Sequence, residues 1–241
     1  MAVDLRIPGH EMHVEMEGDF IDRHRRWLDQ AGLLHRPWLF LGSAPRPTLP
    51  EILPADTAHV YIKYSGQAGK RLGLPEPDLI YVHDIRLGEQ VKGLDCHRIL
   101  AMTNSERRAR IDRLWSRIPF VKRTTMLMSN LERDWLFDTL LGDIFHGVGQ
   151  KKHPSNGIAL IAYAVLLGVP QIIVAGMSLT DDGHSNPAHK KKIRYHKEED
   201  HASFVHFAAH CPTVMTSEPE LAELTGLPLF CAAKGTVASF R

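Results

Sequence analysis

The chain has 241 residues, 44% hydrophobic and 24% charged, with a formal net charge of +1. That length can bury a sizeable core, and the charge balance excludes a global electrostatic pull toward nucleic acid or acidic membranes. Three cysteines (Cys96, Cys211 and Cys231) with no CxxC exclude a disulfide framework and a zinc ribbon, and point to a reducing compartment.

The first twenty residues, "MAVDLRIPGHEMHVEMEGDF", place acids and histidines where a secretion signal needs an apolar stretch. The longest apolar run, Ile158 to Val169, is well short of the ~20 residues that span a bilayer. A cytoplasmic protein, soluble or peripheral to the inner membrane face, is expected. Residues 1–36 form an N-terminal amphipathic helical segment: Phe20, Ile21, Trp27, Leu28, Leu33 and Leu34 surround a basic "RHRR". It reads as a packed helix with a solvated face, or as a surface that touches membrane.

From residue 37 onward, short apolar runs alternate with helical patterns. The runs are 38–42, 59–65, 78–84, 96–102, 124–129, 171–178 and 212–217; the helical patterns are 106–117, 133–141, 155–167, 196–211 and 219–224. Runs without strict alternation suit strands covered on both faces. Residues 37–241 are therefore expected to be one α/β domain, Rossmann-like, with a mostly parallel sheet flanked by helices. Ligands of such folds bind at the carboxyl ends of strands. That rule marks "GSAPRP", "YSGQAG", the "HD" at 83–84 and "GMSLTDDGHS".

Three segments carry candidate chemistry. Gly42 and Ser43, in "LFLGSAPRP", let a phosphate or ribose approach the backbone, although the spacing is neither a Walker loop nor GxGxxG. "HPSNG" (153–157) opens an all-apolar helix, with Ser155 as N-cap and Asn156 and Gly157 in the first turn. The unpaired N–H groups and the dipole there suit a carboxylate or phosphate, and Gly168 should stop the helix. Six of the 15 histidines fall between His184 and His210, in and after a His/Lys-rich lid loop that holds Lys190, Lys191, Lys192 and Arg194. Its cations can balance a leaving phosphate, and a neutral His can serve as general base. His196 and Asp200 stand four apart and would share a helix face. The same pair with His184, His189 or His201 is an alternative metal set, though no HExxH or other strong zinc spacing is present.

Taken in order, "LGSAPRP", "HPSNGIALIAYAVLLGVPQIIVAGMSL", "GHS" and "RYHKEED" resemble the sialyltransferases, both animal and small bacterial. The resemblance is carried by residues 153–204 and extends to 38–84. It implies a GT-A-like variant of the α/β fold and a CMP-activated sugar donor, sialic acid or Kdo. It also implies a glycan or glycolipid acceptor and a metal-independent, inverting displacement with no cofactor. Carried onto this chain, Ser155, Asn156 and Gly157 would hold the sugar carboxylate or the adjoining nucleotide. Gly42 and Ser43 would lie against the nucleotide, with Ser43 standing where the family commonly has Asn. His184 would assist at the leaving phosphate, near Tyr195 and Arg194. His196 would be the base, with Asp200 placing it. A bacterial enzyme of lipopolysaccharide or capsule synthesis follows as the expected setting. Two other readings remain open: a pterin diphosphokinase-like enzyme using ATP and Mg²⁺ on Asp84, Asp181 and Asp182, and a non-catalytic nucleotide-binding module.

Overall fold

The computed structural model of the chain describes residues 10–104, 124–149, 153–180, 183–185 and 195–230. Every expected apolar run contains a strand: β1 (Trp38–Leu41), β2 (Ala58–Ile62), β3 (Leu79–His83), β4 (Arg98–Thr103), β5 (Thr125–Ser129), β6 (Ile172–Ala175) and β7 (Val214–Thr216). They form one sheet, all parallel, in the order β5-β4-β3-β2-β1-β6-β7.

Alternate residues of each strand feed two cores. Trp38, Phe40, Val60, Tyr81 and Val174 enter one cluster, while Leu39, Leu41, Tyr61, Ile80 and Ile173 enter the other. Burial on both faces is why these strands lack a polar face in the sequence. The first core also takes helices α1 (His10–Gln30), α4 (Asn130–Leu141), α6 (Asn156–Leu166) and α7 (Lys197–His210). Shorter helices α2 (Ser65–Arg71), α3 (Leu87–Gln90), α5 (Asp143–Gly147) and α8 (Pro219–Thr225) complete the described set. The helical pattern at 106–117 lies outside the described residues.

Helix α1 ends earlier than its apolar pattern suggests. Gly32 takes φ +66°, and the Leu33 amide turns back to the Leu28 carbonyl at 2.9 Å. Leu33 and Leu34 are thus buried from a turn, not a helix. The "RHRR" run is engaged with the fold. His24 is fully buried with Nδ1 3.0 Å from the Tyr163 hydroxyl, Arg23 pairs with Glu132 at 2.6 Å, and Arg25 donates to the Leu167 carbonyl. Arg26 is the exposed member of the run, its Nε donating to the Asp22 carbonyl at 3.2 Å. No helix of the described residues is long and apolar enough to cross a membrane.

A second difference concerns "HVYIKYS", expected as strand to residue 65. Lys63 stands at φ +52°, which ends β2 at Ile62, and Ser65 then starts α2. Helix α6 behaves as expected at its end: Gly168 takes φ +79°, and the Val169 amide reaches back to the Ala164 carbonyl at 3.0 Å. The strand order changes direction between β1 and β6, so the carboxyl ends of those strands flank the switch point where open α/β sheets bind ligands.

Candidate active site

Glycines build the switch point. A Cβ on Gly42 would collide with the carbonyl oxygen of Gly176, and one on Gly176, at φ +68°, would lie 2.9 Å from the Gly42 oxygen. The chains just past β1 and β6 can therefore touch backbone to backbone. The Gly42 amide donates to Ala175 at 2.8 Å and the Ala44 amide to Gly176 at 2.7 Å. The buried Glu218 carboxylate fixes the same corner, accepting from the Gly176 amide at 2.6 Å and the Thr48 amide at 3.0 Å.

Beside this corner lies a cavity of about 430 Å³. Of the residues singled out from the sequence, Ser43, Ser155, Asn156, Gly157, His184, Tyr195, His196 and Asp200 all line it. Gly42 does not; its role is the close approach just described. Arg194 lies outside the described residues, as do His189, Lys190, Lys191, Lys192, Asp181 and Asp182.

The first turn of α6 differs in detail from a side-chain cap. Ser155 is the N-cap, with extended φ and ψ, but its hydroxyl makes no capping bond. Instead its own amide donates to Asp200 Oδ1 at 2.7 Å. The next amides, of Asn156 and Gly157, have no hydrogen-bond partner among the described residues, and both residues line the cavity. Gly157 is small because Met177 packs there: a Cβ would stand 2.9 Å from the Met177 methyl.

His196 is not inside α7 but caps it, at φ −111° and ψ 28°. The Asp200 amide donates to the His196 carbonyl at 2.9 Å, so the two residues bracket the first turn of α7, and both line the cavity. Nδ1 of His196 lies 2.9 Å from the His153 carbonyl, and the two imidazoles stand 4.8 Å apart. A carbonyl can only accept, so Nδ1 carries the proton and Nε2 is the basic nitrogen. His184 is held by its neighbours in chain: the Ser185 amide donates to the Ser43 carbonyl at 3.0 Å, and Arg71 donates to the Ser185 carbonyl at 2.8 Å. Its ring meets Tyr64 edge-on, with centroids 6.1 Å apart. Tyr195 is 57% exposed, at the rim.

Sequence reasoning did not single out Lys63, Arg86 or Lys197, which also line the cavity. His83, in the "HD" that the strand-end rule marked, lines it as well. Burial lowers the pKa of His83 below the ordinary imidazole value, against an opposing pull from Asp84, so it is neutral near pH 7. Burial raises the Tyr64 phenol, with Glu89 adding to the shift. Of the turn "YSGQAG", marked as a ligand loop, Tyr64 lines the cavity while the rest packs inward. Ser65 Oγ accepts from the Ile62 amide at 2.8 Å and donates to the Leu41 carbonyl at 2.6 Å, and Gly66 and Gly69 lie against Leu94 and Tyr61.

Asp84, one of the acids expected on Mg²⁺, is bonded inward. It accepts from Thr103 Oγ1 at 2.9 Å and from the Ile85 amide at 2.7 Å. Among the described residues, no three His, Cys, Asp or Glu side chains gather as a metal set.

The sheet order, the switch-point cavity and the two flanking layers define a Rossmann-like α/β fold of the GT-A-like kind. Solved structures of similar fold include sialyltransferases. Cst-II in complex with a trisaccharide acceptor and CMP is 14% identical, with a TM-score of 0.53 over 84% of this chain and 89% of that one. Cst-II from Campylobacter jejuni in complex with cytidine-5'-monophosphate is 13% identical, with a TM-score of 0.53 over 81% and 85%. The monofunctional alpha-2,3-sialyltransferase Cst-I from Campylobacter jejuni is 11% identical, with a TM-score of 0.53 over 81% of each chain. At such identities the likeness is one of fold, and it agrees with the resemblance read from the motifs. No protein-family model and no curated protein matches the sequence.

Proposed function

We propose that the protein is a sialyltransferase-like glycosyltransferase. It moves sialic acid or Kdo from a CMP-activated donor to a hydroxyl of a glycan acceptor, in bacterial lipopolysaccharide or capsule synthesis. One observation carries the reading: the open amides of Asn156 and Gly157 share a cavity with His196, whose Nδ1 is fixed on the His153 carbonyl. Such a donor has two anions close together, a phosphodiester and a carboxylate. The described lining carries three cations (Lys63, Arg86 and Lys197) and one carboxylate, Asp200, a composition that suits anionic substrates. Neighbours of the same fold were solved with CMP and with a trisaccharide acceptor, which agrees with the donor and acceptor classes.

In the reaction, the acceptor oxygen attacks the anomeric carbon on the face opposite the phosphate. The bond from that carbon to the phosphate oxygen breaks, and CMP leaves with the electron pair. The acceptor proton passes to Nε2 of His196, a transfer worth about 10²–10⁴-fold in rate. The first turn of α6 holds the donor carboxylate, while Lys197 and His184 offset the charge that develops on the departing phosphate. Ser43 and Tyr195 line the donor's path, with Arg194 assigned to the phosphate as one of the cations of the His/Lys-rich loop. The test is His196→Ala, assayed for CMP-sugar turnover and, by calorimetry, for CMP binding. Turnover should fall by at least a hundredfold with CMP affinity kept and with wild-type activity indifferent to EDTA; a variant with unchanged turnover refutes the base assignment.

A further inference from the structure

We propose that Gln90 is a specificity-determining residue, whose carboxamide N–H groups read the N-acyl carbonyl of a bound sugar. This role rests on the transferase reading above. Gln90 is 1% exposed and lines the cavity, and it is the one buried Asn or Gln among the described residues. Its Oε1 lies 2.9 Å from the His83 amide nitrogen. A backbone N–H can only donate, so the atom facing it is the oxygen, and the NH2 group turns the other way.

Among the described residues that NH2 group donates to nothing. Unlike the Tyr81 hydroxyl, which is both unpaired and sealed from solvent, Nε2 keeps some contact with open space. That space is the cavity Gln90 lines. Buried polar groups nearby are bonded within the fold: Ser65 Oγ to the Ile62 amide and the Leu41 carbonyl, Glu218 to the Gly176 and Thr48 amides. A donor left unpaired in a closed site is costly, and a site built to bond a substrate group rejects an analogue that lacks it.

The side chain is held in place before any ligand arrives. Leu87 and Val91 flank it in sequence and pack on the second core, and Gln67 of α2 donates to the neighbouring Glu89 carbonyl at 3.0 Å. Little ordering is then left for binding to supply. Lys63 and Arg86, on the same lining, are donor-only groups whatever they pair with, so this end calls for an acceptor. A carbonyl meets that demand without bringing a proton of its own, as a hydroxyl does. The donor carboxylate is already assigned to α6. An N-acyl group offers a carbonyl with a methyl beside it, and Ile62 and Ile85 line the cavity too.

The experiment measures kcat/KM of the full-length protein on two substrate pairs that differ at one group. CMP-N-acetylneuraminate is set against its analogue with a hydroxyl in place of the acetamido group, and N-acetylgalactosamine against galactose as acceptor. The acylated member should win by about tenfold or more in at least one pair, and the pair that responds tells whether donor or acceptor carries the group. Gln90→Glu at pH 8 keeps an oxygen for the His83 amide, and Gln90→Met keeps the volume. Both remove the N–H donors and should bring that pair to within about twofold. A wild type without preference in either pair overturns the role of Gln90 while leaving the transferase reading intact. A preference that survives in both variants does the same, and so does a loss confined to CMP affinity, which assigns the amide to the base. Absence of CMP-sugar turnover in the wild type overturns the transferase reading and the role together.

Discussion

Gly42→Ala is the sharpest probe of the switch point. The new methyl would stand 2.8 Å from both the Gly176 carbonyl carbon and Met177 Sδ, and nearer still to the Gly176 oxygen. Two of those atoms are backbone and cannot swing aside, so the ends of β1 and β6 must separate by over half an ångström. The separation loads the bonds that join the two strand ends, Gly42 to Ala175 at 2.8 Å and Ala44 to Gly176 at 2.7 Å. Overpacking of this kind costs about 1–3 kcal/mol and each weakened hydrogen bond about 1 kcal/mol, for a loss of about 2–5 kcal/mol. For a chain of this size, that lowers Tm by about 5–15 °C. Gly88→Ala is the control: nothing lies within 4 Å of its added carbon, so stability should hold or rise slightly. The assay is thermal unfolding of both variants beside the wild type, followed by CMP titration. A Gly42→Ala protein that melts with the wild type refutes the close-approach role and returns Gly42 to a ligand contact alone.

Two further predictions test the electrostatics. Asp200→Asn keeps an oxygen for the Ser155 amide but removes the only carboxylate on the described cavity lining, so CMP should bind more tightly, by roughly three- to tenfold at an effective dielectric of about 40; weaker binding in calorimetry would show that the charge is needed. Burial lowers the folded-state pKa of His59, and that of His83, below the unfolded value. The unfolded chain then binds more protons, so the stability these groups support is present above about pH 6.5 and lost as pH falls through the folded pKa. His59→Gln should flatten the decline in Tm between about pH 7 and 5, and an unchanged slope would remove His59 from the account.

The strands were legible because cover on both faces leaves nothing but apolar residues, as in Trp38–Leu41 and Ile172–Ala175, both buried throughout. Helix α6 was legible for the same reason, framed by Ser155 and Gly168. Helix α2, "SGQAGKR", was not, since two glycines and one turn of polar residues give no helical stripe; it is defined by Gly66 and Gly69 fitting against neighbours remote in sequence. In the site, Ser155–Gly157 and His196 announce themselves by local chemistry. Lys63 and Arg86 enter only when the sheet lines up the ends of β3, β2 and β1. The orientation of His196 was hidden for a simpler reason. Spacing suggested a partner four residues on, whereas its Nδ1 faces a main-chain carbonyl 43 residues earlier, and backbone carbonyls leave no mark in a sequence.

Residues 153–155 and 196–200 are stitched twice, by His196 Nδ1 to the His153 carbonyl and by the Ser155 amide to Asp200. A double stitch removes a degree of freedom that a single one would leave. The imidazole and the helix mouth are consequently a rigid couple, whose mutual ordering is completed during folding. In the proposed transfer, substrates need only find the couple, and the entropy of assembling it stays outside the barrier of each turnover.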